Sequence, residues 1–220
     1  MSVHAYPFNI LEIPIGNYLI KIAQLKNPEI LFDELLKNNF DHPDLIDERI
    51  PYWSELWPSA IALSEYIFDN PDLANGKEIT EIGCGLGLPG IVAAKIGGNV
   101  TLTDYLPAAL EFAEYNWDLN FSSKANTRFL DWRNPADIIP ADVLLASDVA
   151  YERRNFNPLL KSFNLLVKKD GLILISEPNR KFAKEFFTEI KNAGFVITEE
   201  IRIISKDGIQ NKISIFLLRH

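Results

Sequence analysis

The chain of 220 residues contains one cysteine, three histidines, and no run of basic residues longer than a pair. Each shortage removes a class of function. Cys84 alone cannot form an intrachain disulfide, which fits a reducing compartment. His4, His42 and His220 are scattered, with no cysteine or aspartate at ligand spacing, so no metal site is expected. The densest basic groups are the pairs Arg153-Arg154 and Lys168-Lys169, and the net charge is −8. Such a surface repels phosphate backbones, so no nucleic-acid partner is expected. The apolar runs are far short of a membrane span, so no membrane partner is expected either. The opening Met-Ser-Val-His-Ala-Tyr-Pro lacks the charged and apolar regions of a signal peptide. A cytoplasmic monomer is the resulting expectation.

Hydrophobic residues make up 47% and charged residues 24%, enough apolar material for one domain with a sizeable core. Two β-like runs, Phe8 to Ile13 and Tyr18 to Ile22, flank a Pro14-Ile-Gly-Asn turn signal and read as a hairpin. Asn27-Pro28 opens a helix carrying Leu31, Phe32, Leu35 and Leu36 on one side, and residues 39–56 read as an irregular connection. Pro58 opens a helix with Ala62, Leu63, Tyr66 and Ile67 on its apolar face. We therefore separate an N-terminal extension (1–50) from a main domain (51–220).

From Lys77 onward strands alternate with helices. Strands are expected at 77–82, 99–103, 126–130, 142–147, 171–176, 196–204 and 211–218, and helices near 89–96, 107–120, 155–167 and 180–193. This alternation specifies an α/β fold, a Rossmann-like doubly wound sheet of seven strands that is mostly parallel. Asp207-Gly208 joins the last two strands with no helix between them, so a hairpin should place one antiparallel strand near the edge.

The chemistry concentrates in Glu81-Ile-Gly83-Cys-Gly85-Leu-Gly87-Leu-Pro-Gly90, followed by Asp104 at the end of the next strand. A strand, a glycine-rich turn and a helix bring backbone N–H groups close to a nucleotide-like ligand. Gly85-x-Gly87-x-x-Gly90 fits a dinucleotide fingerprint, so a dinucleotide is one candidate. Glu81 argues against it, because a pyrophosphate would face a like charge. A cationic ligand fits better: S-adenosylmethionine carries an ammonium and a sulfonium, and Asp104 can accept from both ribose hydroxyls. Cys84 reads as a small buried residue rather than a nucleophile.

The flanking segments sharpen this reading. Pro51-Tyr-Trp53-Ser-Glu-Leu-Trp57-Pro-Ser-Ala60, the glycine turn, Asp131-Trp132, and Ala146-Ser147-Asp148-Val-Ala-Tyr151 occur in that order. Together they resemble the family-16 group of seven-β-strand, class I methyltransferases, which includes protein-lysine methyltransferases with a D-x-x-Y motif. The resemblance covers roughly residues 50–195. It implies that Asp131 accepts from the adenine amino group, that Trp132 packs beside the ring, and that Trp57 lines the donor pocket. Each has a plainer alternative, as a loop residue or core tryptophan, and Trp53 is balanced between the two. The expected donor site is thus Trp57, Glu81, Gly83, Gly85, Gly87, Asp104, Asp131, Trp132 and Ser147.

Asp148 and Tyr151 are the expected catalytic pair, Asp148 orienting the acceptor nitrogen and Tyr151 walling its channel. A helix cap at Asp148 and packing at Tyr151 are the plainer alternative. Asp-Val-Ala-Tyr lacks the double proline of the motif used on nucleobase amines. The resemblance implies S-adenosylmethionine-dependent N-methylation of a lysine side chain on a protein partner. A small-molecule amine acceptor and a non-catalytic donor-binding module are the alternatives.

Overall fold

The computed structural model describes residues 6–31, 33, 51–135 and 139–220. The hairpin comprises β1 (Phe8–Ile15) and β2 (Tyr18–Leu25), paired antiparallel in a two-stranded sheet of their own. Both strands run two or three residues beyond the sequence expectation. The reason is burial at their ends: Ile15, Ile20, Ile22 and Leu25 enter the same apolar cluster as Leu63 and Ile91 of the main domain. Helical backbone follows Pro28 at residues 29–31 and 33. Phe32, Leu35 and Leu36, and the connection 39–50, lie outside the described residues.

The main sheet contains β3 (Glu78–Ile82), β4 (Asn99–Asp104), β5 (Asn126–Phe129), β6 (Ala141–Ser147), β7 (Val167–Glu177), β8 (Val196–Lys206) and β9 (Ile209–Arg219), in the order β5-β4-β3-β6-β7-β9-β8. β9 is antiparallel to both of its neighbours, and the remaining adjacent pairs are parallel. Asp207 and Gly208, both with positive φ, make the two-residue turn whose twist suits a hairpin. β7 starts earlier than expected because Val167 pairs with Ala141 across a register shift.

Helices α1 (Pro58–Asp69), α2 (Leu88–Ile96) and α3 (Pro107–Asp118) cover one face, and α4 (Phe156–Leu166) and α5 (Ala183–Asn192) cover the other. Alternation along the strands feeds both cores. In β6, Val143 and Leu145 join the first cluster, while Leu144 and Ala146 join the second. Burial on both faces is what a parallel sheet requires. Its carboxyl edge, where β3, β4, β6 and β7 end, is left to loops, and this is where ligands bind in open α/β sheets. No helix among the described residues is long and apolar enough to cross a membrane.

Candidate active site

β3 ends at Ile82 and the chain turns through Gly83, Gly85 and Gly87, whose φ values of 57°, 52° and 80° suit residues without a Cβ. The turn is tied to β4: Cys84 N–H donates to Thr103 O at 2.9 Å, and Thr103 Oγ1 donates to Glu81 O at 2.7 Å. At Gly90 the constraint is space. A Cβ there would overlap a Leu102 methyl and come 2.7 Å from Glu81 Oε2.

Beside this turn lies a cavity of about 320 Å³, within the range of small-ligand sites. Of the residues expected from sequence, Trp57, Gly83, Gly85, Gly87, Asp104, Trp132, Ser147, Asp148 and Tyr151 line it. Trp53 does as well.

Glu81 and Asp131 do not line the cavity, and both expectations are revised. Glu81 is fully buried behind the turn, where Oε2 accepts from Gly90 N–H at 2.9 Å. It braces the first turn of α2 instead of facing the cavity. Its Oε1 is buried with no hydrogen-bond partner among the described residues. The Asp131 carboxylate is engaged by Arg133, whose Nη2 lies 2.7 Å from Oδ2 and whose backbone N–H donates to Oδ1 at 2.9 Å. It borders a smaller adjoining pocket that shares Tyr105, Trp132, Tyr151 and Glu152 with the cavity.

Asp104 sits at the end of β4, 4% exposed. Its Oδ2 accepts from Gly85 N–H at 3.1 Å and its Oδ1 from Leu106 N–H at 3.0 Å. The Tyr105 N–H also acts on this carboxylate, whose four acceptor positions still exceed its three backbone donors, so a ribose hydroxyl can be accepted. Burial pushes its carboxyl up to about 6, against the pull of those N–H groups.

Burial pushes Glu81 further, to about 8, opposed by Gly90 N–H and reinforced by the Asp104 charge. Because the folded value exceeds the ordinary 4.5, the folded state binds more protons than the unfolded one between those two values. The Glu81 contribution to stability is then complete below about 4.5 and is lost as pH rises through about 8. The thermal midpoint of the ligand-free protein is expected to decline across this window. Glu81→Gln should flatten the decline by up to about 1.4 kcal/mol per pH unit, the limit for one proton. Melts at stepped pH check this, and equal slopes in both proteins would refute it.

Asp148 follows β6 with φ of 57°, unusual outside glycine. It caps no helix, since the next helical turn begins only at Arg153. Its N–H donates to Ser176 O at 2.9 Å, and its Oδ1 is bound by Arg180 Nη1. Its second carboxylate oxygen has no hydrogen-bond partner among the described residues. The Tyr151 ring packs edge-on to Tyr52 at 5.7 Å, and Tyr52 packs on Trp57 at 6.1 Å. Burial pushes the Tyr151 phenol upward, so it stays neutral.

Tyr52, Tyr105, Arg180 and Phe182 also line the cavity, and sequence reasoning missed all four. Tyr52 lies within the quoted Pro51–Ala60 segment, and Tyr105 directly follows Asp104. Arg180 lies three residues beyond Glu177 on the same sheet edge, and no motif marks it.

A seven-stranded doubly wound sheet with an inserted antiparallel β9, and a ligand cavity at the glycine turn, define the Rossmann-like methyltransferase fold. Solved structures agree on the fold. Magnesium protoporphyrin IX methyltransferase from Synechocystis PCC 6803 aligns with a TM-score of 0.58 at 15% identity, over 89% of this chain and 98% of that one. Ribosomal protein L11 methylase from Lactobacillus delbrueckii subsp. bulgaricus aligns at 0.57 and 17% identity, over 72% and 77%.

The chain belongs to the lysine methyltransferase family, whose model matches residues 52–193. Among its relatives, the histone-arginine methyltransferase METTL23 of Rattus norvegicus is 31% identical over 58% of this chain and 62% of its own. The protein N-lysine methyltransferase METTL21A of Danio rerio is 32% identical over 66% and 69%. The EEF1A lysine methyltransferase 3 of Mus musculus is 29% identical over 78% and 74%. The match spans 51% to 64% of the length of four METTL23 relatives.

Proposed function

We propose that this chain is an S-adenosylmethionine-dependent N-methyltransferase that acts on a lysine side chain of a protein partner. The observation that carries the reading is one cavity walled by the bare glycine turn, the buried Asp104 carboxylate, and the Asp148–Tyr151 pair. β4 and β6 flank β3, so Asp104 and Asp148 stand roughly 10 Å apart across the sheet edge, two strand spacings. That separation lets one carboxylate hold a ribose while the other meets an acceptor.

The residues present fit the donor. Gly83 and Gly85 present backbone to the cavity, the Asp104 carboxylate lines it with acceptor capacity to spare, and Trp57, Tyr105 and Trp132 supply ring faces. When bound, the donor supplies an electrophilic methyl group on sulfur. The protein's own contribution is alignment and exclusion of water. A lysine ammonium, with an ordinary pKa near ~10.4, must first lose a proton to expose its lone pair. Asp148 offers a fixed oxygen for the amine N–H, and the neutral Tyr151 ring bounds the approach.

A second acceptor, a guanidinium, is favoured by the names of the METTL23 relatives, which are 31% to 36% identical. Asp148 already binds a guanidinium nitrogen of its own chain.

Incubation with methyl-labelled donor and cell lysate, followed by hydrolysis of the protein fraction, tests the reading. Label is expected in methyl-lysine. Label in methyl-arginine would select the second acceptor, and label confined to small molecules would overturn the protein partner.

A further inference from the structure

Among the described residues, Arg180 is the one basic side chain on the cavity wall, and the D-x-x-Y motif does not include it. Its position is fixed from several directions. Its backbone N–H donates to Glu177 Oε1 at 2.9 Å. Its Nη1 lies 3.5 Å and 3.4 Å from the two Glu177 oxygens and binds Asp148 Oδ1. The preceding Asn179 has φ of 64° and is pinned to β9: its Nδ2 donates to Lys212 O at 3.0 Å, and its Oδ1 accepts from Ser214 Oγ at 3.0 Å. Two left-handed non-glycine residues, Asp148 and Asn179, thus stand at the ends of adjacent strands and bracket one guanidinium. Aspartate and asparagine adopt this conformation more readily than other residues with a Cβ, and contacts to β7 and β9 hold it here.

We propose that Arg180, anchored by Glu177, is the positioning residue of the acceptor site: it holds one oxygen of Asp148 so that the other is aimed at the acceptor nitrogen. The proposal rests on the methyl-transfer reading above.

The terminal torsion of an aspartate is broad, so an unheld carboxylate samples many planes. A guanidinium on Oδ1 selects one of them. Glu177 balances the Arg180 charge. Burial pushes Glu177 up to about 7 against the pull of Arg180, so the guanidinium is what holds its charge. Arg180 is not a latch that the acceptor displaces. Swinging it out would strip the charge partner from Glu177, whose side chain is 2% exposed, and burial without a partner is costly.

Steady-state methyl transfer decides this, using the acceptor found by labelling and three variants: Arg180→Ala, Arg180→Lys and Glu177→Gln. Arg180→Ala is expected to lower kcat roughly tenfold to a hundredfold, the range for a misaligned acceptor, while affinity for S-adenosylhomocysteine holds within about threefold. Lysine restores charge without the planar fork, so Arg180→Lys should recover only part of the loss. Low-millimolar guanidinium chloride should restore turnover in Arg180→Ala, and sodium chloride at equal ionic strength should not. A merely structural role would not show that rescue. Glu177→Gln keeps an acceptor for the Arg180 N–H but removes the balancing charge, so kcat should fall several-fold.

If circular dichroism shows Arg180→Ala unfolded, the other two variants decide, and wild-type kcat in both overturns the proposal. Intact kcat with a lowered KM in Arg180→Ala also overturns it, in favour of a displaceable latch. Wild-type protein that labels nothing overturns the methyl-transfer reading and this proposal with it. An active wild type with unaffected variants overturns this proposal alone.

Discussion

Turnover is expected to fall by roughly a hundredfold or more when Asp148 is replaced, with asparagine the cleaner substitution. Asp148 has φ of 57°, a conformation that asparagine tolerates and alanine does not. Asp148→Asn also keeps the N–H bond to Ser176 O and the side-chain shape, while it removes the charge and turns the oxygen aimed at the acceptor into an NH2 donor. Asp148→Ala should lose as much turnover and also some stability, from strain and from leaving Arg180 without its closest anion. Tyr151→Phe should lose less. The ring, packed on Tyr52, still bounds the acceptor channel, and the missing hydroxyl belonged to a phenol that burial keeps neutral, so no base is removed. Single-turnover transfer from labelled donor measures each variant. Donor affinity should change little in Tyr151→Phe. If Asp148→Asn and Tyr151→Phe both transfer at the wild-type rate, the D-x-x-Y pair is not the acceptor site.

The course of the main domain was legible because its signals are local. β6 and β7 carry contiguous apolar runs, Val143–Ala146 and Leu172–Ile175, and Asp207-Gly208 fixes the final hairpin by the φ values that a two-residue turn demands. The cavity lining was legible where a motif is contiguous, as in the glycine turn and Asp148–Tyr151. It was illegible where the outcome depends on which strands become neighbours. Arg180 meets Asp148 because β6 and β7 pair with Ser147 opposite Ser176, bringing together residues 32 apart in sequence. Glu81 was misplaced for a related reason. Its position before the glycines suggested a ligand contact, but the close approach of Gly90 to β4 puts a free N–H against its carboxylate. The acid is therefore drawn under α2. Asp131 was read without its neighbour Arg133, which takes up its carboxylate.

Affinity for the donor is expected to fall at least about tenfold in Asp104→Ala, and the structure sets how that result must be controlled. Charge-assisted hydrogen bonds contribute about 1.5–3 kcal/mol each, so the loss of one ribose hydroxyl contact to this carboxylate reaches a tenfold effect. The same carboxylate also accepts from Gly85 and Leu106 N–H. Alanine leaves both donors without a partner in a buried place and should loosen the turn that forms the cavity wall. Asparagine keeps one acceptor oxygen, so Asp104→Asn separates loss of the ribose contact from loss of the turn. The pH dependence supplies a further check. Asp104 is pushed up to about 6, and only its ionised form offers both oxygens as acceptors. Wild-type affinity should therefore weaken as pH is lowered through about 6, and Asp104→Asn should lose that limb. Titration calorimetry with S-adenosylhomocysteine over this range measures both effects. Unchanged affinity in a folded Asp104→Asn protein, with the wild-type pH limb intact, would place the ribose elsewhere in the cavity.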